Sequence, residues 1–169
     1  LGLFYGAVNT HLFTTVVGWW IATPLLALSL SFLIGRFFYP SLLHAFGRLR
    51  SEKAVQRVLA WTVTLSSCWM AFAAGSNSLA KALGPAVGAG IFQPTTGAIL
   101  GGLAMALGVL VLGGRMINIV GKEITSICPL CAAFVQVISA SIVFAASRYG
   151  MPVSLAEIVT CSVIGFSCA

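Results

Sequence analysis

The stretch GSNSLAKALGP, Gly75 to Pro85, places Ser76, Asn77, Ser78 and Lys81 directly after the apolar run VLAWTVTLSSCWMAFAA, Val58 to Ala74. Two hydroxyls, a carboxamide and an ammonium in so short a span form a donor set suited to an anion. A helix N-terminus would add free N–H groups and a partial positive charge. Gly75-Ser-Asn-Ser lowers helical propensity, so the sequence predicts a break there, with Ser76, Asn77 and Ser78 opening a half-helix. In hydrocarbon such a break is tolerated only where it is buried in protein or lines a wet cavity, because each unpaired backbone group costs several kcal/mol. A Lys near the bilayer centre costs roughly 2.5–3.5 kcal/mol on insertion scales and by default marks function. The competing reading puts Lys81 near the outer surface, where it snorkels.

A second group is Met151-Pro-Val-Ser-Leu-Ala-Glu157. Ser154-Leu-Ala-Glu157 has the S-x-x-E form of a capping box, in which Ser154 and Glu157 satisfy the start of a helix without a ligand. The same exposed donors suit an anion, so Ser154 is both a cap and a ligand candidate. Cys128-Pro-Leu-Cys131 has CxxC spacing but no second pair, and it reads as packing rather than as a zinc or redox site. The chain holds five cysteines, an odd count set mostly in apolar runs, which argues against a disulfide framework. His11 and His44 have no partners at metal spacing, and no metal site or cofactor is expected.

The elements that must position these residues follow from composition. Of 169 residues, 59% are hydrophobic and 7% charged; a soluble domain carries about 25% charged residues. The class is therefore all-α integral membrane: a polytopic helical bundle with broken or re-entrant half-helices. Leu1 and Ala169 both lie inside apolar stretches, so the chain reads as an internal piece of a longer one. One span is expected from Val16 to Phe38, with Trp19 and Trp20 in an aromatic belt and Pro24 in its first turns. A basic loop, Tyr39 to Lys53, leads to a second span, Ala54 to Ala74. Thr95 to Leu112 is a third, whose Gly97, Gly101, Ala104 and Gly108 suit close helix packing. Arg115 to Ile127 is too polar for a free span and reads as interfacial or re-entrant. Pro129 to Ser147 is a fourth, and Ile158 to Ala169 is too short to span alone. The net charge of +6 concentrates at Arg36, Arg48, Arg50, Lys53 and Arg57, with Arg115 and Lys122 as a second group. Basic loops stay cytoplasmic, and these charges set orientation rather than bind nucleic acid.

These motifs resemble the inorganic phosphate transporter (PiT) family. GSNSLAKALGP is similar to the family's Gly-Ala/Ser-Asn-Asp-Val-Ala-Asn-Ala signature. INIVGKEITSICPLCAAFVQVISASIVFAASRYGMPVS resembles VG-x-x-IT-x-L-x-P, an apolar helix, and S-x-x-G-x-PVS-T-T-H. GWWIATPLLALSLSFLIGR resembles the W-x-x-SP helix that closes the first half. The resemblance implies a secondary transporter of two inverted repeats that binds an oxyanion and coupling cations between them. Residues 1–38 would end the first repeat, 39–53 would be the cytoplasmic loop, and 54–169 an incomplete second repeat. It implies that Ser76, Asn77, Ser78 and Ser154 line the oxyanion and ion site, with Lys81 a fixed counter-charge. Thr125 and Ser126 are weaker candidates, and Lys122 with Glu123 an interfacial ion pair. Where the family has Asp, Asn and Thr-Thr-His, this chain has Ser78, Lys81 and Leu155-Ala156-Glu157. Those changes disfavour a cation and favour an anion in this half. Glu157 would then be a proton carrier or only a helix cap.

The expected function is cation-coupled transport of inorganic phosphate, with sodium or a proton as the coupling ion, in the cell membrane with multiple spans. Alternatives are a sulfate or other oxyanion permease and a non-transporting membrane subunit. A membrane enzyme would rest on the CxxC alone and is not expected. The partners implied are phosphate or sulfate, the lipid bilayer, the N-terminal half of the chain and a second copy in a homodimer; no nucleic acid is implied.

Overall fold

A computed structural model describes residues 10–47, 52–123 and 128–169, with the backbone alone for 41–47, 52, 54 and 115–123. Five helices follow in order: α1 Thr10–Gly47, α2 Glu52–Gly88, α3 Pro94–Glu123, α4 Pro129–Arg148 and α5 Leu155–Ser167. Segments Thr10–Pro40, Val55–Gly88, Pro94–Gly114 and Pro129–Arg148 are long and apolar enough to cross a membrane. No strand occurs among the described residues. The protein is an all-α membrane bundle, as its composition requires.

Several boundaries differ from those the sequence suggests. Gly75-Ser-Asn-Ser does not interrupt α2, which runs unbroken from Glu52 to Gly88. Helical Gly costs only about 1 kcal/mol relative to Ala. Ser76 Oγ donates back to Ala73 O at 2.9 Å, and Asn77 sends its amide to another segment instead of competing for its own backbone. Pro85 also lies inside α2, and Pro24 sits well inside α1 rather than in its first turns. Membrane helices tolerate such prolines because neighbours and local adjustments re-satisfy the freed carbonyls. The basic loop is shorter than Tyr39 to Lys53, since α1 continues to Gly47 and α2 begins at Glu52. α3 likewise extends through Arg115 to Glu123. Thr125, Ser126, Arg48 and Arg50 lie outside the described residues. So do the side chains of His44, Arg115, Lys122 and Glu123, and with them the expected ion pair.

α2 and α4 stop in the same way. Gly90 (φ 74°) and Gly150 (φ 70°) take the left-handed conformation that glycine adopts without strain. Ile91 N–H then reaches Ala86 O, and Met151 N–H reaches Ala146 O, each at 3.0 Å. These are the long bonds of a Schellman ending.

α4 is the most enclosed span and α3 the least: the share buried is 44% against 6%. Polar clasps join α4 to its neighbours. Gln136 Oε1 accepts from Ser66 at 2.7 Å and Ser67 at 3.1 Å on α2, and Ser139 donates to Ser162 on α5 at 3.0 Å. Lipid tails are as apolar as Leu, so helices associate through close packing and such bonds rather than a hydrophobic drive. α1 and α5 are the extreme case. A Cβ on Gly165 would collide with the Leu28 carbonyl, and one on Gly35 would meet Ala169 Cβ at 2.7 Å. On α3, a Cβ at Gly101 would meet Leu79 and Leu83 of α2 at 2.7 Å, whereas Gly108 has open space. The small-residue spacing there marks packing over its first half only.

Candidate functional site

The only non-helical backbone between α4 and α5 is the turn and extended linker Tyr149 to Ser154. Its Val153 side chain is 1% exposed and packs among Ala73, Val143, Ala146 and Ile158. That anchoring sets the Val153 carbonyl inside an apolar bundle, where it needs a donor, with the carbonyl of exposed Pro152 beside it. Side chains from two other helices reach both. Trp20 Nε1 on α1 donates to Pro152 O at 2.7 Å. On α2, Asn77 Nδ2 donates to Val153 O at 3.1 Å, and Lys81 Nζ donates to the same oxygen at 2.6 Å. Asn77 and Lys81 are four residues apart and so share one face of α2. Asn77 is 3% exposed.

Ser154 caps α5, its Oγ accepting from Glu157 N–H at 3.5 Å. Ile158 N–H bonds Ser154 O, while the amides of Leu155 and Ala156, in the first turn, have no intrahelical acceptor. Glu157 is exposed, and its negative charge at a helix N-terminus is favourable.

Two cavities flank the Lys81 ammonium. The smaller, about 160 Å³, is lined by Asn77, Ala80, Lys81, Ser147, Gly150, Met151 and Pro152. The larger, about 480 Å³, is lined by Trp20, Lys81, Pro152, Val153, Ser154, Leu155 and Glu157. Asn77, Lys81, Ser154 and Glu157 are therefore brought together. Ser76 and Ser78 are not: Ser76 faces the groove between α2 and α3, and Ser78 is exposed and lines neither cavity. An α-helix turns about 100° per residue, so Asn77 facing the linker turns its neighbours away. The N–H groups of Ser76 to Lys81 are spent inside α2; side chains, not bared amides, offer the donors. The sequence did not mark Trp20 as a linker partner or Ser147 as cavity-lining. The signal available for Ser147 was a hydroxyl flanking a Gly-x-Pro turn; Trp20, 132 residues from Pro152, carried none.

The dithiol motif lies at the opposite end of the bundle. Cys128 is the residue before α4, and Tyr39 at the far end of the α1 span donates to its sulfur at 3.9 Å. Burial raises the Cys128 thiol, but the Leu130 and Cys131 amides and the Tyr39 hydroxyl outweigh it and hold it below its ordinary value. No cluster of three or more metal-ligating side chains occurs among the described residues.

Comparison with known proteins bears on this arrangement. The Phosphate transporter family matches residues 43–169. A sulfate permease (CysP) of Bacillus subtilis is 30% identical over 169 residues, covering 100% of this chain and 46% of the relative. A putative phosphate permease of Chlamydia muridarum is 34% identical over 131 residues, covering 71% of this chain and 30% of the relative. A chloroplastic inorganic phosphate transporter of Arabidopsis thaliana is 31% identical over 124 residues, covering 66% and 21%. The chain thus spans less than half the length of these relatives. No solved structure matches it. The family match covers most of the chain, including Asn77, Lys81 and the α4–α5 linker: the chain belongs to the Phosphate transporter family.

Proposed function

We propose that this chain forms one half of an oxyanion site in a secondary transporter, with inorganic phosphate as the first substrate and a cation as the coupling ion. The observation that carries the reading is the convergence of Lys81, Asn77 and Trp20 on the linker carbonyls beside the open N-terminus of α5. An ammonium has three donors, and Val153 O takes one of them. The others, with the Leu155 and Ala156 amides, face an entering tetrahedral anion.

Charge in the larger cavity favours coupling to a proton. Lys81 and Glu157 line the same wall set and oppose each other, so a bare anion gains little there. A proton delivered to Glu157 leaves the Lys81 charge uncompensated and the cavity attractive to an anion. Sodium coupling from this half is weakened, because Ser78 is exposed and carries no charge. Family resemblance supports the inverted repeat and the rest of the site on chain outside these residues.

A sulfate substrate is the second reading. Its support is that the sulfate permease aligns over 169 residues while the phosphate relatives align over 131 and 124. Uptake of labelled phosphate and sulfate into vesicles holding the full-length protein tests both, under separate sodium and proton gradients. Phosphate uptake driven by the proton gradient is expected. Lys81→Asn is expected to cut it at least tenfold and make the remainder sodium-dependent. Uptake of neither ion by correctly inserted protein would leave a non-transporting subunit.

A further inference from the structure

The dithiol at the far end of the bundle takes no part in the proposed transport site. From sequence alone, Cys128-Pro-Leu-Cys131 reads as packing, yet Cys128 is exposed and Cys131 only half-buried. Cys128 is the N-cap of α4 and Pro129 its first residue, where a missing N–H costs nothing. Ala132 N–H bonds Cys128 O at 3.0 Å, so the Cys128 Cα already stands on the first helical turn. The radius and rise of an α-helix then put the Cys131 Cα about 5 Å away. A disulfide spans Cα separations of roughly 4.4–6.8 Å. The backbone therefore holds the two cysteines at bridging distance before any bond forms.

The contacts at the two sulfurs divide their roles. Tyr39 Oη donates to Cys128 Sγ at 3.9 Å and also bonds the Cys131 sulfur. The Cys131 thiol donates to the Cys128 sulfur. Burial opposes the Cys128 thiolate, but these donors and the Leu130 and Cys131 amides hold its thiol below the ordinary value. The thiolate is the species that attacks a disulfide. Cys131, less open to solvent and a turn further along the same helix, stands where a resolving thiol must. No other cysteines are so placed: Cys68 is alone on α2, and Cys161 and Cys168 lie seven residues apart along α5 and its cap.

The structure assigns to Cys128 and Cys131 a site of reversible thiol–disulfide exchange, whose co-reactant is a small-molecule disulfide of the glutathione type. The Cys128 thiolate attacks one sulfur of R–S–S–R. A mixed disulfide forms on Cys128, and the first RS⁻ leaves and takes up the proton that Cys128 released. The Cys131 thiolate then attacks the Cys128 sulfur. The Cys128–Cys131 bond closes, and the second RS⁻ leaves and takes up the proton from Cys131. The protein loses two electrons and two protons, and R–S–S–R becomes two thiols. Excess RSH reverses both steps. The site lies at the Tyr39 end of α1, beside the basic junction that the positive-inside rule would place in the cytoplasm, where such thiols and disulfides are the redox buffer. The exchange does not depend on the transport reading.

Purified full-length protein, reduced and then incubated with oxidised glutathione at neutral pH, tests this. The reaction is quenched with acid, remaining thiols are alkylated, and the peptides are mapped by mass spectrometry. The expected result is joint loss of the free thiols of Cys128 and Cys131, with their peptide two hydrogens lighter, and full recovery in excess reduced glutathione. In Cys131→Ser the mixed disulfide is expected to persist on Cys128. In Cys128→Ser, Cys131 is expected to remain a thiol. Free thiols at both positions of the parent overturn the assignment, as does a glutathione adduct that never closes onto Cys131. Adducts on Cys131 of Cys128→Ser that form as fast as those on Cys128 of Cys131→Ser overturn the division of roles. If either variant fails to fold, the peptide mass of the parent protein decides alone.

Discussion

Lys81 is the residue on which charge and geometry meet. Its ammonium bonds a backbone carbonyl, not a carboxylate. A carbonyl dipole fixes where the Nζ sits, and in the proposed coupling Glu157, which lines the same cavity, opposes that charge until a proton reaches the carboxylate. Cys128 offers an independent check on the local electrostatics at the other end of the bundle. Its thiol is held low, so more thiolate is present at neutral pH than in an ordinary cysteine. Iodoacetamide at neutral pH should therefore modify exposed Cys128 faster than a cysteine in an unstructured peptide, read by mass spectrometry. An equal rate would show that the amides at the start of α4 do not face the sulfur. At this scale the sequence disclosed residue types but not directions. Ser76, Asn77 and Ser78 look equivalent as donors, yet only Asn77 shares the Lys81 face. Which of three consecutive residues points inward is decided by a helical phase that the polar stretch alone does not reveal.

At the scale of elements, helices were legible from hydropathy, and α4 matches its expected span within a residue. What the sequence obscured was continuity. Glycine, serine and proline read as breaks because in water they are; between lipid and neighbouring helices the alternatives for the backbone are worse. The interruption between α4 and α5, Tyr149 to Ser154, is stable because Trp20, Asn77 and Lys81 come to its carbonyls from helices far away in sequence. Two glycines separate these situations. Gly75 lies inside α2 with open space where an alanine methyl would sit, so Gly75→Ala should raise stability by about 0.5–1 kcal/mol and keep uptake. Gly165 rests against the Leu28 backbone. Gly165→Leu should push α1 from α5 and lower the melting temperature in detergent by several degrees, the size expected for about 1–3 kcal/mol of overpacking. Loss of uptake in Gly75→Ala would instead indicate that α2 unwinds there during transport.

On the scale of the molecule, the ends of the helices sort by charge. Arg36, Lys53 and Arg57 lie near the α1–α2 junction, and the linker site lies at the opposite end of α2. With the basic junction on the cytoplasmic side, as the positive-inside rule proposes, the site would face outward, with Arg148 and Lys81 as the basic residues at that end. From Arg57 to Lys81 the helix rises about 36 Å, against a hydrocarbon core of about 30 Å. In that proposed orientation, with α2 along the membrane normal, the ammonium would stand near the outer boundary of the bilayer, where the insertion cost of a Lys is small. The length of unbroken α2 supports the second of the two depths that the sequence left open, Lys81 near the outer surface. The exposed apolar face of α3, with Leu107, Leu110, Val111 and Leu112 outward, suits lipid or the remaining chain. The central claim is that the Lys81 charge, oriented by the linker, holds the oxyanion. Equilibrium binding of labelled phosphate and sulfate to purified full-length protein, parent against Lys81→Gln, tests it most directly. The account predicts at least a tenfold loss of affinity, about 1.4 kcal/mol, with the melting temperature lowered by no more than the few degrees that loss of the Val153 bond explains. Equal affinity in the two proteins would contradict it.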